Sequence, residues 1–386
     1  MLPHHPILLH DLREVVLFSP FLAFAYYVVA SFCASRFFSR TRQTPADFIP
    51  PVSILKPVRG VDREAYENFA SFCRLDYPAY EILFGVRRPG DPVIPIIQKL
   101  IRDFPERSIR LFVGFGEQGA NEKASILACL AREARHDLLV ASDSDTRVQP
   151  DCLRAIAAPF QNPETGAVTC LYRGEQESTL GDALEAIGVS SDFVAGVLVA
   201  WQFSGVHFAL GATMAVTRQR LNAIGGFEAL SDYLLDDYEL GRRIAAQGYR
   251  VELLSYPVAM VLPSASFREY WQRQLRWSAG VRHSRPWGHF GLLVTQGLPI
   301  SLLAMVASRS AREAGFYLSA YLASRYLMAW RVGIWGLGDG VLRRKWWLVP
   351  ARDAIAFSTW AASIFYNRVT WRGGAFYLRK GRLVPQ

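Results

Sequence analysis

The sequence of 386 residues has little charge and no paired cysteines. Charged residues make up 20% of it, against about 25% in typical soluble domains, while 51% is hydrophobic. The five cysteines are odd in number and form no C-x-x-C pair, which argues against a disulfide framework and a thiolate zinc site. Neither a G-x-S-x-G nor a Walker motif is present, and the histidines lack metal-ligand spacing. The composition excludes a disordered chain and indicates that part of it lies in lipid.

Acidic residues are scarce in the C-terminal quarter of the chain. From Pro286 onward there are three acidic and 13 basic residues, whereas the preceding 285 residues carry 31 acidic and 30 basic ones. The excess behind the net charge of +9 therefore lies in a segment rich in Trp, Leu and Ala. Basic residues beside apolar runs typically meet anionic lipid head groups. We therefore expect the lipid bilayer, and no nucleic acid, as a partner.

The N-terminal region contains a candidate transmembrane helix. Residues 15–35 are almost entirely apolar and match the roughly 20 residues that cross a bilayer core. The acidic residues before this run differ from the basic leader of a signal peptide, so we expect it to be retained. Arg36, Arg40 and Arg42 follow, and the positive-inside rule places that end in the cytoplasm. We predict an N-terminal anchor over residues 1–44.

Between residues 45 and 285 short apolar runs alternate with stretches of helical spacing. Such alternation predicts an α/β domain with a mostly parallel sheet flanked by helices. In these sheets ligands bind beyond the carboxyl ends of the strands, so chemistry is expected just after each apolar run. The predicted strands cover residues 52–55, 80–86, 109–115, 137–143 and 167–172.

Apolar character returns in residues 286–386, which we predict to form a C-terminal membrane region with a basic tail. Three apolar stretches cover residues 291–308, 314–338 and 346–367. The basic residues at 343–345 and the basic tail after Asn367 both favour the cytoplasmic side, which conflicts with three single crossings. One stretch is therefore expected to be re-entrant or interfacial. The resulting assignment is a multi-pass protein of a bacterial inner membrane.

Asp143 and Asp145 end a predicted apolar strand, in the sequence D-S-D. Two carboxylates at this spacing can share a hard divalent cation, and Mg²⁺ commonly takes one or two carboxylates plus substrate phosphates. A polar loop followed by a helix N-cap is the alternative interpretation.

Asp236 and Asp237 form a second acidic cluster. A general base held near a hydroxyl and a simple preference for the helix dipole explain this pair equally well.

A third cluster is basic and aromatic. On a helix, Arg273, Arg276 and Trp277 share one face, and arginine suits bidentate recognition of a pyrophosphate. An amphipathic helix lying at lipid head-group level has the same pattern.

Single residues near other predicted strand ends give weaker signals, because each alone is more often a turn or solvated residue: Lys56, Asp91, Asn121, Lys123 and Gly211.

Taken in order, these motifs resemble the ceramide glucosyltransferase family, which is glycosyltransferase family 21. The likeness runs from Val52 to Pro286, and the tail T-W-R-G-G-x-F-Y-L-R resembles the C-terminus of that family. The motifs are S-I-L-K-P, G-D-P, N-x-K, D-S-D-T-R-V, G-x-T-M, D-D-Y and R-x-x-R-W. The resemblance implies a GT-A nucleotide-sugar-binding domain that transfers a sugar from UDP to a membrane lipid with inversion.

The resemblance also implies roles for single residues. Asp91 and Asp143 match the first and second family aspartates, and Asp237 matches the third, the catalytic base. Arg273, Arg276 and Trp277 match the motif expected to hold the donor pyrophosphate. With the strand-end signals, the expected nucleotide-sugar site comprises Lys56, Asp91, Asn121, Lys123, Asp143, Gly211, Arg273, Arg276 and Trp277. Asp143 and Asp145 are expected to bind Mg²⁺ or Mn²⁺.

Two departures from the eukaryotic pattern bear on metal and acceptor. Eukaryotic members have D-S-G where this chain has D-S-D, so Asp145 restores the metal-binding motif of wider GT-A enzymes. They carry a histidine in the acceptor region, where this chain reads S-S-D-F-V over residues 190–194. Bacterial relatives include a hopanoid-pathway enzyme that transfers N-acetylglucosamine, and residues 60–78 are similar to that branch.

The expected function is transfer of glucose or N-acetylglucosamine from a UDP-sugar to the hydroxyl of a ceramide-like or hopanoid lipid. Two alternatives remain. A processive polysaccharide synthase shares the aspartates and the R-x-x-R-W helix but needs more membrane segments for a channel. A non-catalytic membrane scaffold would be expected to lose the carboxylates that this chain retains.

Overall fold

The computed structural model describes residues 5–40, 48–115, 119–371 and 374–385. Arg42, one of the residues behind the predicted orientation, lies outside these ranges, as does part of the family-like tail. The helices are α1 (His5–Phe38), α2 (Ala65–Cys73), α3 (Ile94–Asp103), α4 (Glu122–Glu133), α5 (Cys152–Ala157), α6 (Leu180–Gly188), α7 (Val194–Phe203), α8 (Arg218–Ala223), α9 (Asp236–Ala246), α10 (Phe267–Ser284), α11 (Pro286–Gly291), α12 (Gly297–Ala307), α13 (Ala311–Ala329), α14 (Gly340–Lys345) and α15 (Val349–Ser363).

The strands form one large and one small sheet. They are β1 (Val52–Val58), β2 (Tyr80–Val86), β3 (Ser108–Val113), β4 (Leu138–Ser142), β5 (Thr146–Arg147), β6 (Thr165–Glu175), β7 (Thr213–Thr217), β8 (Arg250–Val261), β9 (Arg368–Trp371), β10 (Gly374–Arg379) and β11 (Arg382–Pro385). The large sheet has the order β3-β2-β1-β4-β7-β6-β8-β5, and the small one the order β11-β10-β9.

All five predicted strands are present, which confirms the α/β assignment. Strand β1 pairs in parallel with β2 and β4, β2 with β3, and β6 with β8. Antiparallel pairing occurs where β7 lies between β4 and β6, and where β5 meets β8. The sheet is therefore mixed but mostly parallel. Every residue of β1 is buried, as expected for a central strand covered on both faces.

The hydrophobic core lies on both faces of the large sheet. On one face Leu55 and Leu83 pack with residues of α1, α4 and α7. On the other face Ile54 and Phe84 pack with residues of α2, α3 and α5. Successive residues of a strand point to opposite faces, which explains why the neighbours Ile54 and Leu55 belong to different clusters. The carboxyl ends of β1, β2 and β4 are left free to carry polar side chains.

Two helices in the described ranges are long and apolar enough to cross a membrane. One covers Asp11–Phe38, the predicted N-terminal segment, and the other covers Leu180–Phe203, which the sequence interpretation missed. The second is 72% buried inside the protein, so its apolar surface serves the core. A third candidate is the pair Pro286–Thr295 and Gly297–Ala307, bent by 52°. This bend lies in the first of the three C-terminal apolar stretches.

The N-terminal helix packs against the C-terminal helices. The Tyr27 hydroxyl donates a hydrogen bond to the Thr295 carbonyl at 2.9 Å and accepts one from the Gly297 amide at 3.0 Å. Tyr317 of α13 likewise donates to the Leu17 carbonyl at 3.0 Å.

The domain boundaries at residues 44 and 285 remain a prediction. The small sheet, although it belongs to the predicted C-terminal part, pairs with residues of the central part through Tyr233 and Arg382.

Candidate active site

Lys56 lies in the second half of β1, two residues before its carboxyl end, and its side chain reaches the D-S-D segment. Its ammonium donates to the Asp143 carbonyl oxygen at 2.6 Å and lies 3.9 Å from the centre of the Phe72 ring. Burial lowers the pKa of Lys56 to about 7, although the carboxylates of Asp143 and Asp145 counteract the shift. The Lys56 side chain therefore holds the backbone of the D-S-D segment in place.

Asp91 joins the loops that follow β1 and β2. Its two carboxylate oxygens accept hydrogen bonds from the Gly60 amide at 3.1 and 2.9 Å, and one of them accepts another from the Val93 amide at 3.0 Å. Gly60 has a positive φ of 68°, a conformation that glycine adopts at no steric cost. Asp91 thus fixes the loops at the carboxyl edge of the sheet. Its predicted contact with the nucleotide would be made at this edge.

The D-S-D segment lies beside two lysines and a third carboxylate. Asp143 forms an ion pair with Lys123 at 2.6 Å, and Ser144 donates a hydrogen bond to the Asp62 carboxylate. Burial, with the negative charges of Asp143 and Asp62, raises the pKa of Asp145 to about 8. Three carboxyl groups, those of Asp62, Asp143 and Asp145, are therefore concentrated at this strand end. Asp62 was missed by the sequence analysis, although its position just after β1 was a usable signal.

The carboxylates of Asp143 and Asp145 suit a cation that is also bound by a ligand such as a phosphate. Within the described ranges no group of three or more His, Cys, Asp or Glu side chains is arranged to hold a metal ion. Asp143 and Asp145 could supply only part of a coordination shell, which is how Mg²⁺ is commonly bound beside substrate phosphates. Their oxygens are hard donors, and Asp145 is buried beside the carboxylates of Asp143 and Asp62, where a cation would offset the mutual repulsion.

Asp237 lies in the first turn of α9, across from the D-S-D segment. A Cβ atom on Gly211 would lie 2.9 Å from Asp237 Oδ2 and 3.2 Å from Lys123 Nζ, so only glycine fits there without a shift. Lys123 also donates to the Gly211 carbonyl at 3.3 Å. The structure thus brings together four predicted residues that are far apart in sequence: Lys123, Asp143, Gly211 and Asp237.

The charged side chains of this group shift one another's pKa values. Burial and the neighbouring Asp236 carboxylate raise the pKa of Asp237 to about 6, while Lys123 acts in the opposite direction. Burial alone would lower the pKa of Lys123, but the carboxylates of Asp143, Asp236 and Asp237 raise it above its usual value. Lys123 therefore remains charged, and Asp237 is a stronger base than an ordinary aspartate while still ionised near pH 7.

Asn121 lies behind the acid pair and is fully buried. Its Oδ1 caps α4 by accepting a hydrogen bond from the Ala124 amide at 3.1 Å. Its Nδ2 donates to the Tyr233 carbonyl at 2.7 Å and to Asp236 Oδ1 at 3.2 Å. The structure therefore places this predicted nucleotide-sugar residue in contact with Asp236 and with the loop that precedes it.

The predicted Arg and Trp helix is α10. Its start is defined by a capping box between Ser266 and Glu269. Arg273 forms an ion pair with Glu185 of α6, while Arg276 and Trp277 are half-buried on the next turn. Glu185 was missed by the sequence analysis because it lies within an apolar stretch.

Tyr172 is a further site residue that the sequence analysis missed. It lies near the end of β6, where burial and the charges of Asp237, Glu185, Asp143 and Asp145 raise the pKa of its hydroxyl. Its ring lies 5.6 Å from the ring of Phe193. Tyr172 therefore lies within electrostatic range of Asp237 and of the D-S-D segment. Its place at the end of a predicted strand was the available signal.

Comparison with protein families identifies the chain. The model of glycosyl transferase family 21 matches residues 15–384. This chain belongs to glycosyltransferase family 21. Among solved structures it is similar to a mannosyltransferase from Pyrobaculum calidifontis in complex with GDP-Man and Mn²⁺, with a TM-score of 0.55, 18% identity, and coverage of 91% of this chain and 99% of that one. The family 21 chain therefore has a GT-A-like fold, as the motifs predicted.

Two groups of relatives are lipid glucosyltransferases by name. Ceramide glucosyltransferase 3 of Caenorhabditis elegans is 26% identical over 234 residues, which are 59% of this chain and 50% of the relative. The beta-monoglucosyldiacylglycerol synthase of Trichormus variabilis is 21% identical over 240 residues, 60% of this chain and 49% of the relative. The family 21 chain thus spans about half the length of these curated relatives.

Proposed function

We propose that the family 21 chain is an inverting glycosyltransferase that moves glucose or N-acetylglucosamine from a UDP-sugar to the hydroxyl of a membrane lipid, ceramide-like or hopanoid. Family membership and the names of the relatives support the reaction class. The observation that carries the proposal is that Asp237 lies beside Gly211 and Lys123, while Lys123 is ion-paired with Asp143 of the D-S-D segment. A carboxylate base and a donor-phosphate site must face each other across a small gap for direct transfer.

Asp237 is the proposed general base. With a pKa of about 6 it is ionised at neutral pH and can accept the proton of the lipid hydroxyl. As that oxygen forms a bond to the anomeric carbon, the bond from this carbon to the UDP oxygen breaks on the opposite face. UDP departs with the electron pair, and the configuration inverts. The absence of a side chain on Gly211 lets Asp237 Oδ2 and Lys123 Nζ approach each other closely.

The donor is held by residues on the opposite side of the gap. Asp91 is proposed to lie at the nucleotide, and Arg273, Arg276 and Trp277 at the pyrophosphate. Lys56 is fully buried and is proposed to support the donor site indirectly, through its hydrogen bond to the Asp143 carbonyl. Lys123, charged and paired with Asp143, adds positive charge where the leaving group becomes negative.

Asp143 and Asp145 would hold Mg²⁺ or Mn²⁺, which when bound supplies further positive charge to the diphosphate. Asn121 is proposed to act on Asp236 rather than on the nucleotide, because it is fully buried and its amide is already hydrogen-bonded.

The lipid acceptor and the membrane location belong to the same proposal. Helix α1 and the bent pair α11–α12 are apolar enough to enter a bilayer. Large apolar side chains in the C-terminal region are exposed, among them Trp287, Trp347 and Phe365. Exposed aromatic residues beside basic ones are typical of membrane interfaces. We propose that the catalytic domain lies on the cytoplasmic side of a bacterial inner membrane.

Mass spectrometry of lipid products tests the proposed function. The detergent-purified protein is incubated with UDP-glucose or UDP-N-acetylglucosamine, Mg²⁺ or Mn²⁺, and ceramide, diacylglycerol or a hydroxylated hopanoid. We expect one hexosyl or N-acetylhexosaminyl lipid, formed by the wild type and by Asp137→Asn but not by Asp237→Asn. Asp137 is a suitable control because it lies at the far end of β4 with its side chain 93% exposed. A polymeric product would favour a polysaccharide synthase, and no donor consumption would favour a scaffold.

A further inference from the structure

The small sheet formed by β9, β10 and β11, here the C-terminal sheet, contacts the loop that leads into α9. This acid-pair loop covers residues 231–235. The Leu234 amide donates a hydrogen bond to the Gly381 carbonyl at 3.0 Å, and the Leu383 amide donates to the Asp232 carbonyl at 2.7 Å. Tyr233 pairs in an antiparallel bridge with Arg382. The loop therefore behaves as a short additional strand along the edge of β11.

Side chains reinforce this backbone pairing. Leu234 of the acid-pair loop packs with Val369, Leu378 and Leu383 of the C-terminal sheet and with Ala279 of α10. These residues form a hydrophobic cluster separate from the two cores of the large sheet. The cluster links three parts of the chain, because α10 also carries Arg273, Arg276 and Trp277. The C-terminal sheet thus connects the acid-pair loop to the proposed pyrophosphate helix.

The turn of the C-terminal sheet is shaped to fit α10. Lys380 and Gly381 have φ values of 49° and 79°, as in the two-residue turns that join twisted antiparallel strands. A Cβ atom on Gly381 would lie 2.9 Å from the Ser284 hydroxyl at the end of α10. The Arg382 side chain returns to the loop, where its Nε donates to the Tyr233 hydroxyl at 3.1 Å.

The opposite side of the acid-pair loop is held by Asn121. Its backbone amide donates to the Ser231 carbonyl at 2.6 Å, and its Nδ2 donates to the Tyr233 carbonyl and to Asp236 Oδ1. The loop is therefore fixed between the start of α4 and the C-terminal sheet. Because Asp236 and Asp237 immediately follow this loop, its position determines where both carboxylates enter the site.

We propose that the C-terminal sheet is a positioning element for the transfer reaction, which holds the Asp236–Asp237 pair at a fixed distance from the donor. The inference rests on the proposed function of Asp237 as the base. Misplacement of a reacting group by about 1 Å can lower a rate about 100-fold, so small movements of the loop affect turnover. Donor affinity is expected to change less than turnover, because Asp91 lies on another element and Arg273, in the first half of α10, is held by Glu185 of α6 rather than by the C-terminal sheet.

Two neighbouring residues of β11 give a matched test. Leu383 is 3% exposed and packs under the loop, whereas Val384 is 39% exposed and faces away. Leu383→Ala is expected to lower kcat about tenfold or more while KM for the UDP-sugar stays within about twofold. Val384→Ala is expected to behave as the wild type. Arg382→Met, which removes the bond to Tyr233 without opening a cavity, is expected to lower kcat in the same direction by a smaller factor.

Hydrogen–deuterium exchange provides a readout that does not depend on catalysis. In Leu383→Ala, amides of residues 231–240 are expected to exchange faster, while amides of residues 138–142 in β4 keep their wild-type rates. Equal kcat values for Leu383→Ala and Val384→Ala, or unchanged exchange over residues 231–240, would overturn the inference. If Leu383→Ala fails to fold, Arg382→Met decides in the same two assays. If the wild type transfers no sugar, the proposed function fails and the exchange comparison alone decides the positioning role.

Discussion

Asp237→Asn is expected to abolish sugar transfer and at the same time to stabilise the fold. The pKa of Asp237 is raised from an ordinary value of 3.8 to about 6, chiefly by burial and by Asp236. The folded protein therefore binds a proton at this site more tightly than the unfolded chain does. Ionisation of Asp237 destabilises the fold, and this cost is absent below pH about 4, grows as the pH rises, and is complete above pH about 6.

The size of the effect follows from the shift. A difference of about two pKa units corresponds to about 3 kcal/mol at most, since one unit is worth 1.36 kcal/mol. Asp237 is half-buried rather than fully buried, so solvent screens part of its charge, and about 1–3 kcal/mol is the expected gain for Asp237→Asn at pH 8. The attraction to Lys123 is already included, because it contributes to the pKa of Asp237. A gain of this size raises Tm by a few degrees in a protein of this length.

Thermal unfolding of the detergent-purified protein, followed by tryptophan fluorescence, provides the assay. Wild type, Asp237→Asn and the exposed control Asp137→Asn are compared at pH 8 and at pH 4. We expect Asp237→Asn to unfold at a higher temperature than the wild type at pH 8, with the difference closing at pH 4. Asp137→Asn should match the wild type at both values. An unchanged or lower Tm for Asp237→Asn at pH 8, or full turnover by that variant, would refute the assignment of Asp237 as a strained catalytic base.

Three further predictions concern the same site. Gly211→Ala is expected to lower kcat at least about tenfold with little change in Tm, because the new methyl group meets Asp237 Oδ2 at 2.9 Å and Lys123 Nζ at 3.2 Å; steady-state kinetics and thermal unfolding check this, and wild-type turnover would contradict it. The kcat/KM of the wild type is expected to fall as the pH drops through about 6, since the base must be ionised; a profile flat to pH 5 would argue against Asp237. Chelation of divalent ions should stop transfer and added Mg²⁺ or Mn²⁺ restore it, with Asp145→Asn needing more metal than Asp137→Asn; turnover that EDTA leaves unchanged would remove the cation from the mechanism.

Several features of the fold could be predicted because they depend on local patterns. The five central strands are short apolar runs bounded by polar residues, and all five occur where the runs are. Strands β7 and β8 were missed, because β7 is only five residues long and β8 contains Pro257, a residue that interrupts the usual strand pattern. The helix at Leu180–Phe203 was missed for a different reason. A core helix and a membrane helix share the same composition, and only packing tells them apart.

The sequence by itself determined which chemical groups the site contains. Asp143 and Asp145 end an apolar strand, Asp237 begins a helix, and Arg273, Arg276 and Trp277 share a helix face, all from spacing along the chain. These patterns can be recognised in the sequence because strand alternation and helical periodicity are local properties of the chain. Membership of glycosyltransferase family 21 was likewise visible in the order of the motifs.

Only the tertiary structure decided which of these groups meet and what their charges do. Lys123 pairs with Asp143 beside Gly211 and Asp237 because strand order brings distant loops to one edge of the sheet. Asn121 is buried behind Asp236, and the C-terminal sheet holds the loop before it, neither of which has a signal in the sequence. Burial and the sum of nearby charges set the pKa of Asp237, and both are properties of the assembled fold rather than of any local segment.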